Sequence, residues 1–187
     1  MSEQLLIQQL QLGVQQAYAK LVDLYQNMVY NTVLSMLQNH EEAEDVSQEV
    51  FIQVYQSIQQ FKGESKLSTW LYRIAVTKSL DLQRHKKRKK RFAFLESLVG
   101  VDGETKHDVK NFNHPGVNME NKEKAAKLFK AMMQLPDNQK AAFTLNKVEG
   151  LSYQEVADVL KVSIGSVEAL LHRAKQNLRK ELGNYYN

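Results

Sequence analysis

Cysteine is absent from the 187 residues. This removes disulfide scaffolds, thiol nucleophiles and cysteine-ligated zinc, and it fits a reducing compartment. Proline occurs twice and aromatics make up only 9%, as expected where helices dominate over turns and strands. No run approaches the ~18 uninterrupted apolar residues of a membrane helix, and Met1 is not followed by a basic and then apolar leader. The expectation is a soluble, cytoplasmic chain without membrane insertion. Enzyme signatures are missing too. His40, His85, His107, His114 and His172 are scattered; the one Glu-x-x-His, Glu104 to His107, has no second copy of the kind a two-metal bundle site needs, and the sequence has no His-Glu-x-x-His, no Gly-rich phosphate loop and no nucleophile elbow. The acids Glu41, Glu42, Glu44, Asp45 and Glu49 leave a metal carboxylate site in a helical bundle as a rival reading, but its usual ligand pattern is lacking. The expectation is therefore no catalytic residue, no metal and no cofactor.

What is present is segregated charge. The net charge is +4, but residues 1–60 hold one base against seven acids, whereas residues 61–91 hold eleven bases against two. The second block ends in Lys86, Lys87, Arg88, Lys89, Lys90 and Arg91. Residues 92–120 turn acidic again, and residues 121–187 carry eleven bases against seven acids. Two basic blocks separated by an acidic spacer suggest two contacts with one polyanion.

Apolar residues recur at helical spacing through Leu21, Leu24, Tyr25, Met28 and Val29, and again through Val50, Phe51, Val54, Tyr55 and Ile58. This predicts two long helices, broken around Gln38 to His40, with a short helix before Gly13. Acids at Glu41, Glu42, Glu44 and Asp45 suit the start of the second long helix. Phe61 to Leu67 interrupts the pattern, after which Ser68 is expected to cap a helix with Leu71, Ile74 and Ala75 facing inward. Glycine, proline, Asn and Asp accumulate between Phe92 and Asn118, which reads as a linker, although Phe92, Phe94, Leu95 and Leu98 suggest a short docking helix within it. A helix through Ala125, Leu128, Phe129 and Met132 should end at Leu135-Pro136. Asp137 to Val148 should follow, closed by Gly150.

Ser152-Tyr-Gln-Glu155 is a capping-box pattern, and Ser163 is placed to cap the last helix. Between them Val156, Ala157, Leu160, Val162, Val167, Leu170, Leu171, Ala174 and Leu178 trace two inward stripes broken at Lys161. That is the helix-turn-helix pattern, whose second helix enters the DNA major groove. Its outward face would present Ser163, Gly165, Ser166, Glu168, Ala169, His172, Arg173, Lys175 and Gln176, followed by Arg179 and Lys180. Early groups can read base edges and late bases can hold phosphate. A helical hairpin with a solvated basic face is the alternative. Lys161 stands where glycine is usual, because that turn needs a positive backbone angle; lysine there costs up to about 1 kcal/mol.

The segment from Leu135-Pro-Asp-Asn-Gln through Glu149-Gly-Leu-Ser-Tyr-Gln-Glu-Val-Ala to Leu171-His-Arg-Ala-Lys resembles region four of extracytoplasmic-function (ECF) sigma factors of the sigma-70 superfamily. Glu42-Ala-Glu-Asp-Val-Ser-Gln-Glu-Val-Phe51 and Phe61-Lys-Gly-Glu-Ser-Lys-Leu-Ser-Thr-Trp-Leu-Tyr-Arg-Ile-Ala75 resemble that family's region two. The resemblance implies an all-α fold of two small helical domains, residues 1–91 and 118–187, joined by a flexible linker at 92–117. It also implies promoter DNA, core RNA polymerase (clamp helices and flap) and an anti-sigma factor as partners.

Residue by residue, the resemblance assigns Asp45, Gln48, Glu49 and Ile52, which share one helix face, to the polymerase clamp. It assigns Lys62, Gly63, Glu64, Ser65 and Lys66 to capture of a flipped base at the minus-ten element, where a flipped base needs a pocket and a stacking surface. Trp70, Tyr72 and Arg73 follow, with Lys78, Arg84 and Arg88 as phosphate contacts. Trp70 is equally readable as plain core. Ser163 to Gln176 fall to the minus-thirty-five element. Three departures stand out: Trp70 is followed by Leu71 where primary sigma factors have a second tryptophan, Thr77 stands where Asn is common, and Glu168, Ala169 and Leu170 replace a commoner Lys-Ser-Arg. A conventional regulator with a C-terminal helix-turn-helix and an N-terminal sensing domain remains the second rival; it would footprint duplex DNA alone at two-fold symmetric sites.

Overall fold

The computed structural model describes residues 2–98 and 122–183. Among these residues the regular structure is helical throughout. Helix α1 (Glu3–Gln11) begins at Ser2, whose hydroxyl accepts from the Leu5 amide at 3.3 Å. Helix α2 (Gln15–Leu37) ends where Gln38 turns left-handed, at φ 55° and ψ 32°. Helix α3 (His40–Ser57) starts at Asn39, whose side chain accepts from the Glu42 amide at 3.0 Å, and carries Glu41 and Glu42 in its first turn. Both devices satisfy a helix N-terminus. A single 3-10 turn (Ile58–Gln60) leads to the 61–66 loop and then to α4 (Leu67–Leu98).

The apolar stripes of α1 to α4 meet in one core that includes Leu10, Leu21, Val33, Leu34, Val50, Val54, Leu67, Leu71 and Ala75. Each fully buried Leu or Val contributes about 1.5–3 kcal/mol. Not all of the expected stripe is inside: Leu24 and Tyr55 are 54% and 64% exposed. Helical spacing marks a broad face, and these two residues fall on its margin. The expected Ser68 cap is also corrected. Helix α4 starts at Leu67, so Ser68 lies inside its first turn, and the Leu67 amide donates to the Glu3 carboxylate of α1 at 3.1 Å. A carboxylate remote in sequence thus does the work expected of a local hydroxyl. The Gln11 side chain adds a second tie from α1, donating to the carbonyls of Ile58 and Phe61 at 3.3 and 3.0 Å.

The C-terminal bundle comprises α5 (Lys122–Met132), α6 (Asp137–Phe143) continuing through a π-helical turn (Thr144–Val148), α7 (Tyr153–Leu160) and α8 (Ile164–Gly183). Gly150 follows the π-helical turn at φ +75°. Helix α4 is longer than the sequence suggested, running through residues 92–98 rather than breaking at the expected linker; the rest of that linker, up to 117, lies outside the described residues.

The two bundles pack against each other in this structure. Met36 of α2 and Val76 and Leu80 of α4 are buried in the same core as Phe129, Met132, Leu135, Phe143, Val156 and Leu171. The Gln38 side chain donates to the Phe129 carbonyl across the junction. The long polar side chains buried in the junction are paired, as burial requires. Lys140, only 1% exposed, donates from Nζ to Gln83 Oε1 at 2.8 Å, and Gln83 Nε2 donates to the Met36 carbonyl at 2.5 Å.

Candidate nucleic-acid interface

Helices α7 and α8 form the helix-turn-helix. Ser152 accepts from the Glu155 amide at 3.2 Å, and the Glu155 carboxylate accepts from the Ser152 amide at 3.0 Å, completing the capping box. The bonds its carboxylate accepts, from the Ser152 amide first and then from the Ser152 hydroxyl and Lys66, hold the Glu155 carboxyl below its ordinary range. Lys161 takes the left-handed conformation, φ 56° and ψ 48°, and the Val162 amide closes the turn on the Ala157 carbonyl at 3.1 Å. Val162 itself is corrected: expected on the inward stripe, it is 39% exposed, because the left-handed turn swings the chain out before α8 begins. Ser163 caps α8, accepting from the Ser166 amide at 3.2 Å.

With Val167, Leu171, Ala174 and Leu178 buried beneath, the opposite face of α8 is open. Gly165, Ser166, Glu168, His172, Arg173, Lys175 and Gln176 are exposed together with Ser163, while Ala169 is half-buried. The result is a single strip with hydroxyl, carboxylate and imidazole groups near its N-terminus and bases further along.

The 61–66 loop turns at Gly63, where φ is +72°. Lys62, Gly63, Glu64 and Lys66 are exposed and Ser65 half-buried. Phe61 anchors the loop in the core, and its ring meets Trp70 with centroids 4.9 Å apart and planes 32° apart. Trp70 is therefore neither plain core nor free. One side rests on Phe61, and the rest lines an open cleft of about 420 Å³ with Gln53, Arg73, Ile74, Thr77 and Lys78. Such a cleft beside an indole can take a planar base.

On α3, Asp45, Gln48, Glu49 and Ile52 are all exposed, Ile52 at 55%, while Ala43, Val46, Val50 and Val54 face the core. Glu49 pairs with Lys78 at 3.2 Å. Among the described residues no group of three or more carboxylate or imidazole side chains converges as metal ligands would. The acids of α3 spread instead along its solvent side, Glu42 pairing with Lys86.

The basic helix α4 contains a feature the sequence did not announce. Several groups assigned to DNA are in contact with the C-terminal bundle. Arg73 donates from Nε to the Val159 carbonyl at 3.2 Å and from a terminal nitrogen to the Asp158 carbonyl at 2.7 Å. Tyr72 donates to Glu149 at 3.4 Å, Lys66 pairs with Glu155 at 3.3 Å, and Arg84 with Asp137 at 3.3 Å. Lys87 joins Arg84 on Asp137 at 3.2 Å. Burial pushes the Asp137 carboxyl up, but these two cations outweigh it and hold it below the ordinary value. Arg88 is exposed.

Two residues in this junction went unnoticed in the sequence. Burial pushes Glu149 up to about 7, against hydrogen bonds from Thr32 and Tyr72, and it pushes Lys140 down to about 8. Glu149 was legible only as part of a motif. Lys140 sat on a helix where lysine ordinarily keeps its head in water, and no spacing signal marks the exception.

The chain matches two family models, Sigma-70 region 2 over residues 21–89 and Sigma-70, region 4 over residues 125–178. It is 33% identical over 178 residues to the ECF RNA polymerase sigma factor SigW of Bacillus subtilis, covering 94% of each chain. Among solved structures it superposes on CnrH, in a complex with the cytosolic domain of CnrY, with a TM-score of 0.69, 20% identity and 97% of each chain covered. It also superposes on the sigma factor RpoE of Bartonella quintana, in a complex with the anti-sigma factor NepR, with a TM-score of 0.59, 21% identity, and 89% and 96% of the two chains covered.

Proposed function

Since this chain belongs to the ECF RNA polymerase sigma factors, a family of transcription initiation factors, we propose how its surfaces divide the work of promoter recognition. The observation that carries the reading is the pairing of an open, cap-defined recognition strip on α8 with a separate cleft beside Trp70. Duplex DNA needs the first and an extruded base the second.

In this reading residues 118–187 bind the minus-thirty-five element as duplex. Ser163, Gly165, Ser166, Glu168 and Ala169 face base edges, and His172, Arg173, Lys175 and Gln176 run toward the phosphates. Residues 1–91 bind the minus-ten element once it opens. The 62–66 loop and Trp70 receive a flipped base, while Tyr72, Arg73, Lys78, Arg84 and Arg88 hold the strand. Asp45, Gln48, Glu49 and Ile52 dock on the polymerase clamp; their exposure on the side of α3 away from the core supports this. Residues 92–117 connect the two domains through the polymerase.

The factor makes and breaks no bond. It supplies differential binding: one domain anchors on duplex, the other favours the opened strand, and the melting equilibrium shifts by the difference. Trp70 without a second adjacent tryptophan makes the strand-opening wedge weaker than in primary sigma factors. The chain acts in the cytoplasm, where the polymerase is, and none of its described helices is long and apolar enough to cross a membrane. RpoE of Bartonella quintana is bound by an anti-sigma factor, and a partner of that kind is proposed here.

Run-off transcription with core polymerase tests the assignment. Asp45→Arg and Trp70→Ala, each with native circular dichroism, are expected to abolish and to weaken specific transcripts respectively. Full activity in both variants would overturn the assigned faces.

A further inference from the structure

Glu168, His172, Lys175 and Arg179 follow one another along α8 at spacings of four, three and four, so they form one row on the helix, and all four are exposed. The row ends in cations, which suits phosphate, yet it begins in a carboxylate. Among the described residues Glu168 has no hydrogen bond and no ion pair. Its neighbours at the start of α8 are differently placed. Gly165 has no side chain, Ala169 offers a methyl group, and the hydroxyls of Ser163 and Ser166 are bonded to each other at 2.9 Å. A carboxylate on a strip that faces DNA is repelled by the phosphates, so Glu168 weakens binding to every sequence except one whose base edge supplies it with a donor. A carboxylate only accepts. In the major groove guanine shows two acceptors, thymine an acceptor and a methyl group, adenine a donor beside an acceptor, and cytosine a donor alone. Cytosine is therefore the base that satisfies Glu168 without setting an acceptor against it.

We propose that Glu168 determines specificity at one C·G pair of the minus-thirty-five block, its carboxylate accepting a hydrogen bond from the exocyclic amino group of that cytosine. This rests on the assignment of α8 to the minus-thirty-five element above. The residue acts against the wrong bases as much as for the right one: guanine or thymine at that position leaves a desolvated carboxylate facing another acceptor. A wrong base at such a position lowers binding about 5- to 150-fold. The amide of Glu168→Gln has nearly the same size but both donates and accepts, which matches the paired groups on the adenine edge. The chemistry thus predicts an exchange of C for A at a single position.

The test uses the full chain with core polymerase on a library built from a promoter located by its transcript 5′ end. The upstream block is randomised, and each template carries a barcode in its transcript. The wild-type protein should favour C about 5- to 150-fold at one position of one strand. Glu168→Gln should move that preference to A and Glu168→Ala should level it, while the other positions keep theirs. On the single promoter with C changed to A at that position, Glu168→Gln should give more transcript than the wild type, a gain that a misfolded variant does not produce. Lys175→Ala, by contrast, should lower output across all sequences and reduce the salt slope by about 1. Unchanged preferences in both Glu168 variants, a shift at a position where the wild type does not favour C, or a loss of output uniform over all sequences overturns the proposal. A wild-type protein that selects no sequence removes the promoter reading and this inference with it, whereas a selected upstream block that the Glu168 variants leave intact removes the inference alone.

Discussion

Lys161 offers a quantitative check on the helix-turn-helix. It is a non-glycine residue at φ 56° and ψ 48°, where the Cβ of an L-residue crowds the following carbonyl at a cost of about 1–2 kcal/mol. Its side chain is exposed, so removing it sacrifices little packing. Lys161→Gly should relieve that crowding, while the added freedom of glycine in the unfolded chain returns about 0.4–1 kcal/mol. The net expectation is stabilisation by about 0.5–1 kcal/mol. For a protein of this size that raises the thermal midpoint by about 1 to 4 °C, read by far-UV circular dichroism on the full chain. Lys161→Val, β-branched at the same position, should move the midpoint the other way. A lower midpoint for the glycine variant would mean that the turn is not left-handed and that α7 and α8 do not cross as described.

Other outcomes follow from the same geometry. Ser152→Ala removes the side-chain half of the capping box and loosens its reciprocal carboxylate, and it should cost about 1 kcal/mol in chemical denaturation, with Ser152→Thr retaining most of it. The raised Glu149 carboxyl, near 7 against an ordinary value of 4.5, contributes stability that is complete below about 4.5 and lost as pH rises through 7. Glu149→Gln should therefore flatten the pH dependence of the midpoint across that window, and an unchanged slope would show that Glu149 is not buried in the junction. Changing Arg88, Lys89 and Lys90 to Gln should reduce the salt slope of promoter binding by about 2 to 3, close to one counterion for each phosphate left without a cation. No change in slope would mark this run as a solvated helix end.

How much of this could be read from the residues depends on how local the governing interaction is. The capping box at Ser152, the cap at Ser163, the stop at Gly150 and the left-handed strain at Lys161 were legible because each acts within a few residues of itself. The cap on α4 was misread because its acceptor, Glu3, lies 64 positions away. Left-handed Gln38 carries no residue-type signal comparable to glycine. Leu24, Tyr55 and Val162 fit the apolar spacing yet are exposed, because periodicity reports a face but not its edges. The junction itself was invisible: Met36, Val76 and Leu80 read as ordinary apolar residues, and nothing in their spacing says that the second bundle covers them. Arg73 and Lys66 were recognised as donors, while their acceptors in this state were not. Charge pattern identifies what a surface can bind, and topology decides what it is binding.

The central claim is that the chain confers promoter choice on RNA polymerase. Its most direct test maps transcript 5′ ends made by core polymerase on fragmented DNA of the source genome, with and without the purified protein. Addition of the protein is predicted to produce defined start sites, each preceded by two shared sequence blocks at fixed spacing. Start sites indistinguishable from those of core polymerase alone would contradict it.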